Sequence, residues 1–150
     1  MTTRLSHETL PIPASHLDLL TRPICGVLTT IGVDGQPQSS LAWIDVDSDC
    51  ACINTTLERQ KGRNLIANPK VSLLVVDPDN IARFIQIRGD AELVTDGALD
   101  HLDALTHKYT THPCYYGGPV AALSTTSAIV SMSSFTWTPS FPAPATRAHP

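Results

Sequence analysis

Alternation of apolar and polar positions divides the chain into short extended segments separated by turn residues. The cleanest alternation runs over residues 84–93. There Ile85, Ile87, Gly89, Ala91 and Leu93 share one face, and Phe84, Gln86, Arg88, Asp90 and Glu92 share the other. Gly89 is the place for a bulge or a tight bend. Val71–Val76 is almost continuously apolar, which predicts a strand central in its sheet. Gly26–Thr30 reads as a strand, and Val33-Asp34-Gly35-Gln36 supplies a hairpin turn. The return strand runs from Gln38 to Asp47 and alternates Ser39, Leu41, Trp43 and Asp45 against Ser40, Ala42, Ile44 and Val46. Asp47-Ser48-Asp49 then turns into a third strand from Cys50 to Asn54, completing a meander. Asp77-Pro78-Asp79-Asn80 is a further turn, and Ser127–Trp137 is the last strand.

Helical spacing is confined to short stretches. Ser15-x-x-Asp18 caps a helix through Leu17, Leu19 and Leu20 that Pro23 stops, and its leucines cover one end of a barrel. Thr55-x-x-Glu58 has capping-box spacing ahead of a basic helix that ends before Asn68-Pro69. Gly62 inside that helix weakens it by up to about 1 kcal/mol relative to Ala. Thr95-Asp96 opens a third helix carrying Leu99, Leu102, Leu105 and Tyr109, and Gly117-Gly118-Pro119 breaks the pattern. About six antiparallel strands with two or three short helices predict a mainly β chain, a Greek-key or split β-barrel. The junctions are too short for the crossovers of a parallel sheet.

Composition narrows the classes. The 150 residues form one domain, 1–150, with an extended arm over 1–14 and a loose tail over 139–150, where four of twelve residues are proline. No segment approaches a membrane span and the N-terminus lacks a signal-peptide pattern, so a cytoplasmic protein is expected. A net charge of −4 argues against nucleic acid as a partner. Cys25, Cys50, Cys52 and Cys114 read as inert thiols, and with His101, His107 and His112 they match no standard zinc spacing, so no metal is expected. Those histidines are assigned to a helix surface and its loop. No nucleophile–base set is evident, and no catalytic side chain is assigned.

Against this acidic background, four of the ten Lys and Arg (Arg59, Lys61, Arg63 and Lys70) lie within twelve residues. A cationic helix start following a strand suits a phosphate-bearing small molecule. A basic run is also what a solvated helix face looks like, so charge alone leaves both readings open. Arg59 and Lys61 do not share a face of a regular helix, which puts Arg59 in the loop before it.

Four motifs run in order here: Asn54-Thr55-Thr56, Arg59-x-Lys61-x-Arg63-Asn64-Leu65, Asn68-Pro69-x-Val71 and Val75-Val76-Asp77-Pro78-Asp79-Asn80. From about Leu17 to about Tyr109 the chain resembles the pyridoxamine 5′-phosphate oxidase-like split β-barrel superfamily. Within it, the small deazaflavin (coenzyme F420)-dependent oxidoreductases and their FMN-binding relatives are the nearest likeness. The resemblance implies F420, or alternatively FMN, bound in a groove at a homodimer interface. It implies a phosphate site of Thr55, Thr56, Arg59, Lys61, Arg63 and Asn64, and a ring lying along Leu28, Thr29, Ser39 and Ser40. Trp43 would stack near ring or substrate, or serve equally as a core aromatic. Arg83 would cross the dimer to the phosphate or stay on the surface. The implied activity is hydride transfer from the reduced cofactor to a small conjugated substrate. The alternatives are an FMN-binding oxidase-like protein, or a cofactor- or tetrapyrrole-binding module without turnover.

Overall fold

The computed structural model describes residues 12–116 and 126–132, and the backbone of 136–139. The Gly117-Gly118-Pro119 break, the tail beyond residue 139 and nearly all of the expected arm lie outside the described residues. In chain order the elements are α1 (Asp18–Thr21), β1 (Gly26–Ile31), β2 (Pro37–Ala42), β3 (Ile44–Asp47), β4 (Cys50–Thr56), α2 (Gln60–Ala67), β5 (Lys70–Val76), β6 (Phe84–Val94), α3 (Ala98–Tyr109), β7 (Ser127–Met132) and β8 (Thr136–Pro139). The strands are antiparallel and follow the order β2-β1-β5-β6-β7-β4-β3, with β8 also paired to β6. This is the mainly β, split-barrel class that the alternation predicts. Among the described residues, no helix is long and apolar enough to cross a membrane.

Among the described residues the strands number eight rather than about six, because two predicted strands are each broken in two. Residues 38–47 divide at Trp43: β2 pairs with β1, whereas β3 pairs with β4. The predicted meander is therefore not formed, since β1 lies beside β5 and β4 beside β7. Local alternation continues across Trp43 and hides the change of sheet. The final strand likewise divides, β7 taking residues 91–94 of β6 and β8 taking residues 85–88.

Strand β6 holds the two parts together. Its residues 84–90 pair with β5 and its residues 91–94 with β7. Gly89 sits opposite Val71 in unbroken register, so the expected bulge is absent, and the change of partner falls two residues later. As predicted, β5 is central, flanked by β1 and β6. The inward residues of these strands (Leu28, Leu73, Val75, Ile85, Ile87) join Ile44, Ile53 and Val130 in one core, and Leu19 and Leu20 of α1 cover it.

Helix caps differ from expectation. At α1 the N-cap is Leu17, with no side-chain cap, and Ser15 Oγ bonds instead to His16 Nδ1 at 2.7 Å. The helix is fixed from outside by Arg83, which bonds Asp18, Asp77 Oδ2 (3.1 Å) and the Ser15 carbonyl (2.6 Å). Those contacts raise the Arg83 pKa and hold Asp18 below the usual carboxylate range, so Arg83 is committed to the fold.

The Thr55–Glu58 capping box is also not formed. Thr55 and Thr56 belong to β4, Arg59 is the N-cap of α2 and lies outside the helix as expected, and no side chain caps the first turn. The Glu58 carboxylate instead accepts the Thr126 N–H at 3.0 and 3.2 Å, tying the entry of α2 to the start of β7. Gly62 has a purpose that helix propensity misses. A Cβ there would stand 2.4 Å from the Thr56 carbonyl oxygen and 2.9 Å from Leu57 Cα, so the helix backbone rests directly on the end of β4. Propensity alone has Gly62→Ala stabilising by about 1 kcal/mol. The contact reverses the sign, and chemical denaturation should show a loss of about 1–3 kcal/mol, as for overpacked interiors.

Candidate functional site

Where β4 runs out into α2, it borders a cavity of about 280 Å³. One side is the end of β4 (Asn54, Thr55, Thr56), continued by Arg59 and Lys61. Beside it is the β2–β3 corner, with Leu41, Ala42 and Trp43. Leu102 and Leu105 of α3 form the apolar floor, and Cys25, Tyr115 and Tyr116 complete the wall.

The corner is built by aromatic stacking. Trp43 lies face to face with Tyr109, ring centroids 5.3 Å apart and planes 10° apart, and Tyr115 meets Trp43 edge-on at 6.2 Å. Tyr109 is held by its hydroxyl, which donates to the Ile24 carbonyl (2.7 Å) and accepts the Ile44 N–H (3.0 Å). Burial pushes its pKa up to about 12, so it stays neutral. Lys108 donates to the carbonyls of Leu20 (2.8 Å) and Ile44 (2.6 Å). Backbone groups released where the chain changes sheets are thus satisfied by the last turn of α3.

The cationic end is the unusual part. Lys61 is 8% exposed. Its ammonium has one hydrogen bond, to Ser40 Oγ at 3.3 Å, and no carboxylate within salt-bridge distance among the described residues. Burial, then the nearby Arg59 charge, pulls its pKa below the ordinary lysine value. The exposed Arg59 side chain has no ion pair or hydrogen bond among the described residues. By contrast, Arg22 pairs with Asp79, Lys70 with Asp90 and Arg83 with Asp77. A buried cation without a counter-charge is costly unless something else supplies one.

The sequence-predicted site residues divide into two groups. Thr55, Thr56, Arg59, Lys61 and Trp43 line the cavity, and Ser40 touches Lys61. Leu28 is fully buried in the core. Thr29 and Ser39 bond each other at 2.8 Å across β1 and β2, away from the cavity wall. Arg63 turns back to the Glu58 carbonyl (2.8 Å) and Gln60 Oε1 (2.7 Å) on the exposed side of α2. Asn64 is buried, donating to Thr30 Oγ1 at 3.0 Å, and so docks α2 onto β1. Helical periodicity turns Arg63 away from Lys61, whereas Asn64, three residues on from Lys61, shares its buried face of α2 and differs only in that its amide is taken by β1.

Two groups at the cavity were not singled out from sequence. Tyr115 and Tyr116 come from the loop after α3, whose aromatic pair is the only sequence signal. Asn54 is the first residue of the Asn-Thr-Thr motif, and its Nδ2 donates to the Ala98 carbonyl (2.8 Å) and to His101 Nδ1 (3.3 Å). His101 is therefore not on the helix surface: its Nε2 is buried without a hydrogen bond among the described residues, 3.9 Å from Asp45 Oδ2. Burial lowers its pKa, opposed by Asp45 and Asp47. Cys52 is buried with a raised pKa, Cys50 is half-buried and Cys25 is exposed.

Comparison with known proteins places this geometry. Residues 12–129 match the pyridoxamine 5′-phosphate oxidase family. A pyridoxine/pyridoxamine 5′-phosphate oxidase of Cupriavidus metallidurans is 34% identical over 82 residues, 54% of this chain and 38% of that protein. The chain thus spans less than half the length of that curated relative. Among solved structures, an F420 reductase superposes with a TM-score of 0.71 at 30% identity, covering 85% of this chain and 98% of the other. The general stress protein 26 of Bacillus anthracis shares the fold, with a TM-score of 0.61 at 18% identity over 85% of this chain and 96% of that one. With the family match extending over α1 to β7 and the split barrel in place, the chain belongs to the pyridoxamine 5′-phosphate oxidase family.

Proposed function

We propose that this chain is an oxidoreductase that binds a phosphate-bearing ring cofactor, F420 in the first instance and FMN as the alternative, and reduces a small conjugated substrate. The observation that carries this reading is Lys61: a buried ammonium with one hydroxyl partner and no carboxylate, at one end of an aromatic-walled cavity. A phosphate anion supplies the missing counter-charge, and charge-assisted hydrogen bonds are the strong ones. Arg59 adds a second cation at the rim, and Ser40, Thr55 and Thr56 supply hydroxyls. Trp43, braced by Tyr109, offers an aromatic surface beside the ring position. Leu102 and Leu105 exclude water from the enclosed face. The bound cofactor supplies the hydride-transfer chemistry, so the shortage of acid–base side chains fits the assignment. F420 takes precedence because the likeness to the F420 reductase extends over nearly that whole protein, whereas the oxidase match covers a minor part of its relative.

The same reading makes the protein a homodimer with a second copy completing the groove. Leu41, 70% exposed on edge strand β2 at the cavity mouth, supports it. Sedimentation equilibrium should return twice the chain mass, and a monomer at micromolar concentration would remove the second copy from the site.

Fluorescence titration with F420 and FMN tests the cofactor. Lys61→Ala should weaken binding about 10- to 100-fold, the worth of a charge-assisted hydrogen bond. Arg59→Ala should cost less, and Arg63→Ala should stay within about twofold. Equal affinity of wild type and Lys61→Ala would remove the phosphate anchor.

The ligand-free protein provides an opposite test. Because burial lowers the Lys61 pKa, the unfolded chain holds that proton more tightly, and the group opposes folding while it is charged. Lys61→Met should therefore raise the unfolding free energy from chemical denaturation at pH 7, by up to about 1–3 kcal/mol. The gap should narrow as pH rises through the lysine range. A variant less stable than wild type would show that the ammonium is already compensated.

A further inference from the structure

Asn54 lies on the cavity wall with its amide orientation fixed from behind. The Ala98 carbonyl, at 2.8 Å, only accepts, so the Asn54 NH₂ must face it. The second hydrogen of that group goes to His101 Nδ1 at 3.3 Å, which makes Nδ1 the unprotonated ring nitrogen. Oδ1 is thereby turned the other way. It has no partner among the described residues, and Asn54 lines the cavity, which leaves this oxygen for an occupant.

Position along the cavity says which part of an occupant meets this oxygen. Ile53 pairs with Ile44, so Asn54 is next along β4 beside the Trp43 corner, and Thr55, Thr56, Arg59 and Lys61 follow it. A molecule with its ring at Trp43 and its phosphate at Lys61 must pass whatever joins the two by Asn54. An amide oxygen only accepts, and an ionised phosphate has no hydrogen to give. The matching group is therefore an O–H donor between ring and phosphate.

We infer that Asn54 Oδ1 accepts a hydroxyl of the polyol chain linking ring to phosphate, and that neutral His101 is the positioning residue that keeps it aimed. The inference rests on the ring–phosphate reading above, but it does not depend on the choice of ring, because F420 and FMN both carry a hydroxylated linker. Asn54 thus sets specificity for phosphorylated polyol conjugates over phosphate or ring alone. His101 has to stay unprotonated to act. A proton on Nδ1 would put two donors face to face, and Asn54 could relieve this only by turning its NH₂ toward the cavity. The charged groups facing His101 are Asp45 and Asp47 of β3, which favour protonation. Asn54 and the Cys52 thiol belong to β4, and β7 presents no charged side chain. Burial outweighs the two aspartates and keeps the ring neutral near pH 7.

The test is cofactor affinity by fluorescence, at pH 7.5 and pH 5, for wild type, Asn54→Ala, His101→Asn and His101→Phe. Wild type is also titrated with FMN analogues in which single linker hydroxyls are replaced by hydrogen. One deoxy analogue should bind wild type about five- to tenfold more weakly than FMN, the worth of one hydrogen bond. Asn54→Ala should bind FMN weakly by a similar factor and no longer distinguish that analogue. His101→Asn keeps an acceptor at the Nδ1 position that cannot be protonated. It should match wild type at pH 7.5 and lose less affinity at pH 5, while His101→Phe binds weakly at both. Titration of the FMN phosphate, near pH 6, affects wild type and His101→Asn alike and drops out of their difference.

If wild type binds neither F420 nor FMN, the ring–phosphate reading fails and this inference with it. If wild type binds FMN and every deoxy analogue equally, Asn54 does not read the linker, though the reading stands. If the wild-type and His101→Asn pH profiles superimpose, His101 is structural only.

Discussion

A chain that moves from one sheet to another in a single residue must find partners for the backbone groups it releases there. At Trp43 this protein meets that requirement with the last turn of α3. The Tyr109 hydroxyl serves the Ile24 carbonyl and the Ile44 N–H, while Lys108 takes the Leu20 and Ile44 carbonyls. The same turn lays Tyr109 flat against Trp43. Stability and site are joined at this corner: the groups that satisfy the backbone also build the aromatic wall.

At the other end of the cavity the electrostatics run differently. Arg22, Lys70 and Arg83 each have a carboxylate. Arg63 is occupied by a carbonyl and an amide oxygen. Lys61 alone among the buried ammonium groups meets a single hydroxyl, since the Lys108 ammonium has two carbonyls. The fold tolerates this imbalance because β6 runs through both halves of the barrel and one continuous core supports them. Strain of this kind is expected where binding takes precedence over stability.

Much of the fold was legible because it depends on local pattern. The alternation of β6, the apolar run of β5 and the turn at Asp77–Asn80 each report one-sided or two-sided burial, which a short window captures. The division at Trp43 was not legible, since Ser39–Ala42 and Ile44–Asp47 keep the same alternation while changing partner strands. The capping box failed for a related reason: Thr55-x-x-Glu58 has the right spacing, yet Glu58 is taken by Thr126, distant in sequence. For the site, a cluster of cations pointed to the end of β4 that borders the cavity. It did not separate Lys61, which enters the cavity, from Arg63 and Asn64, which serve the helix. His101 was placed on a surface because nothing nearby in sequence reveals Asn54 and Asp45 beside it.

The contact at Gly62 has a wider consequence. Helix α2 rests main chain on main chain against the end of β4, so no rotamer change nearby shifts the height of Lys61 above the strand. The aromatic corner, by contrast, is made of side chains drawn from a loop and a helix end. Under the proposed function, sequence drift can therefore remodel one end of the chamber to admit differently shaped head groups while the foothold for their tails stays where the backbone put it. A scaffold of that kind diversifies its ligands by changing a few rings and leaves its footing untouched.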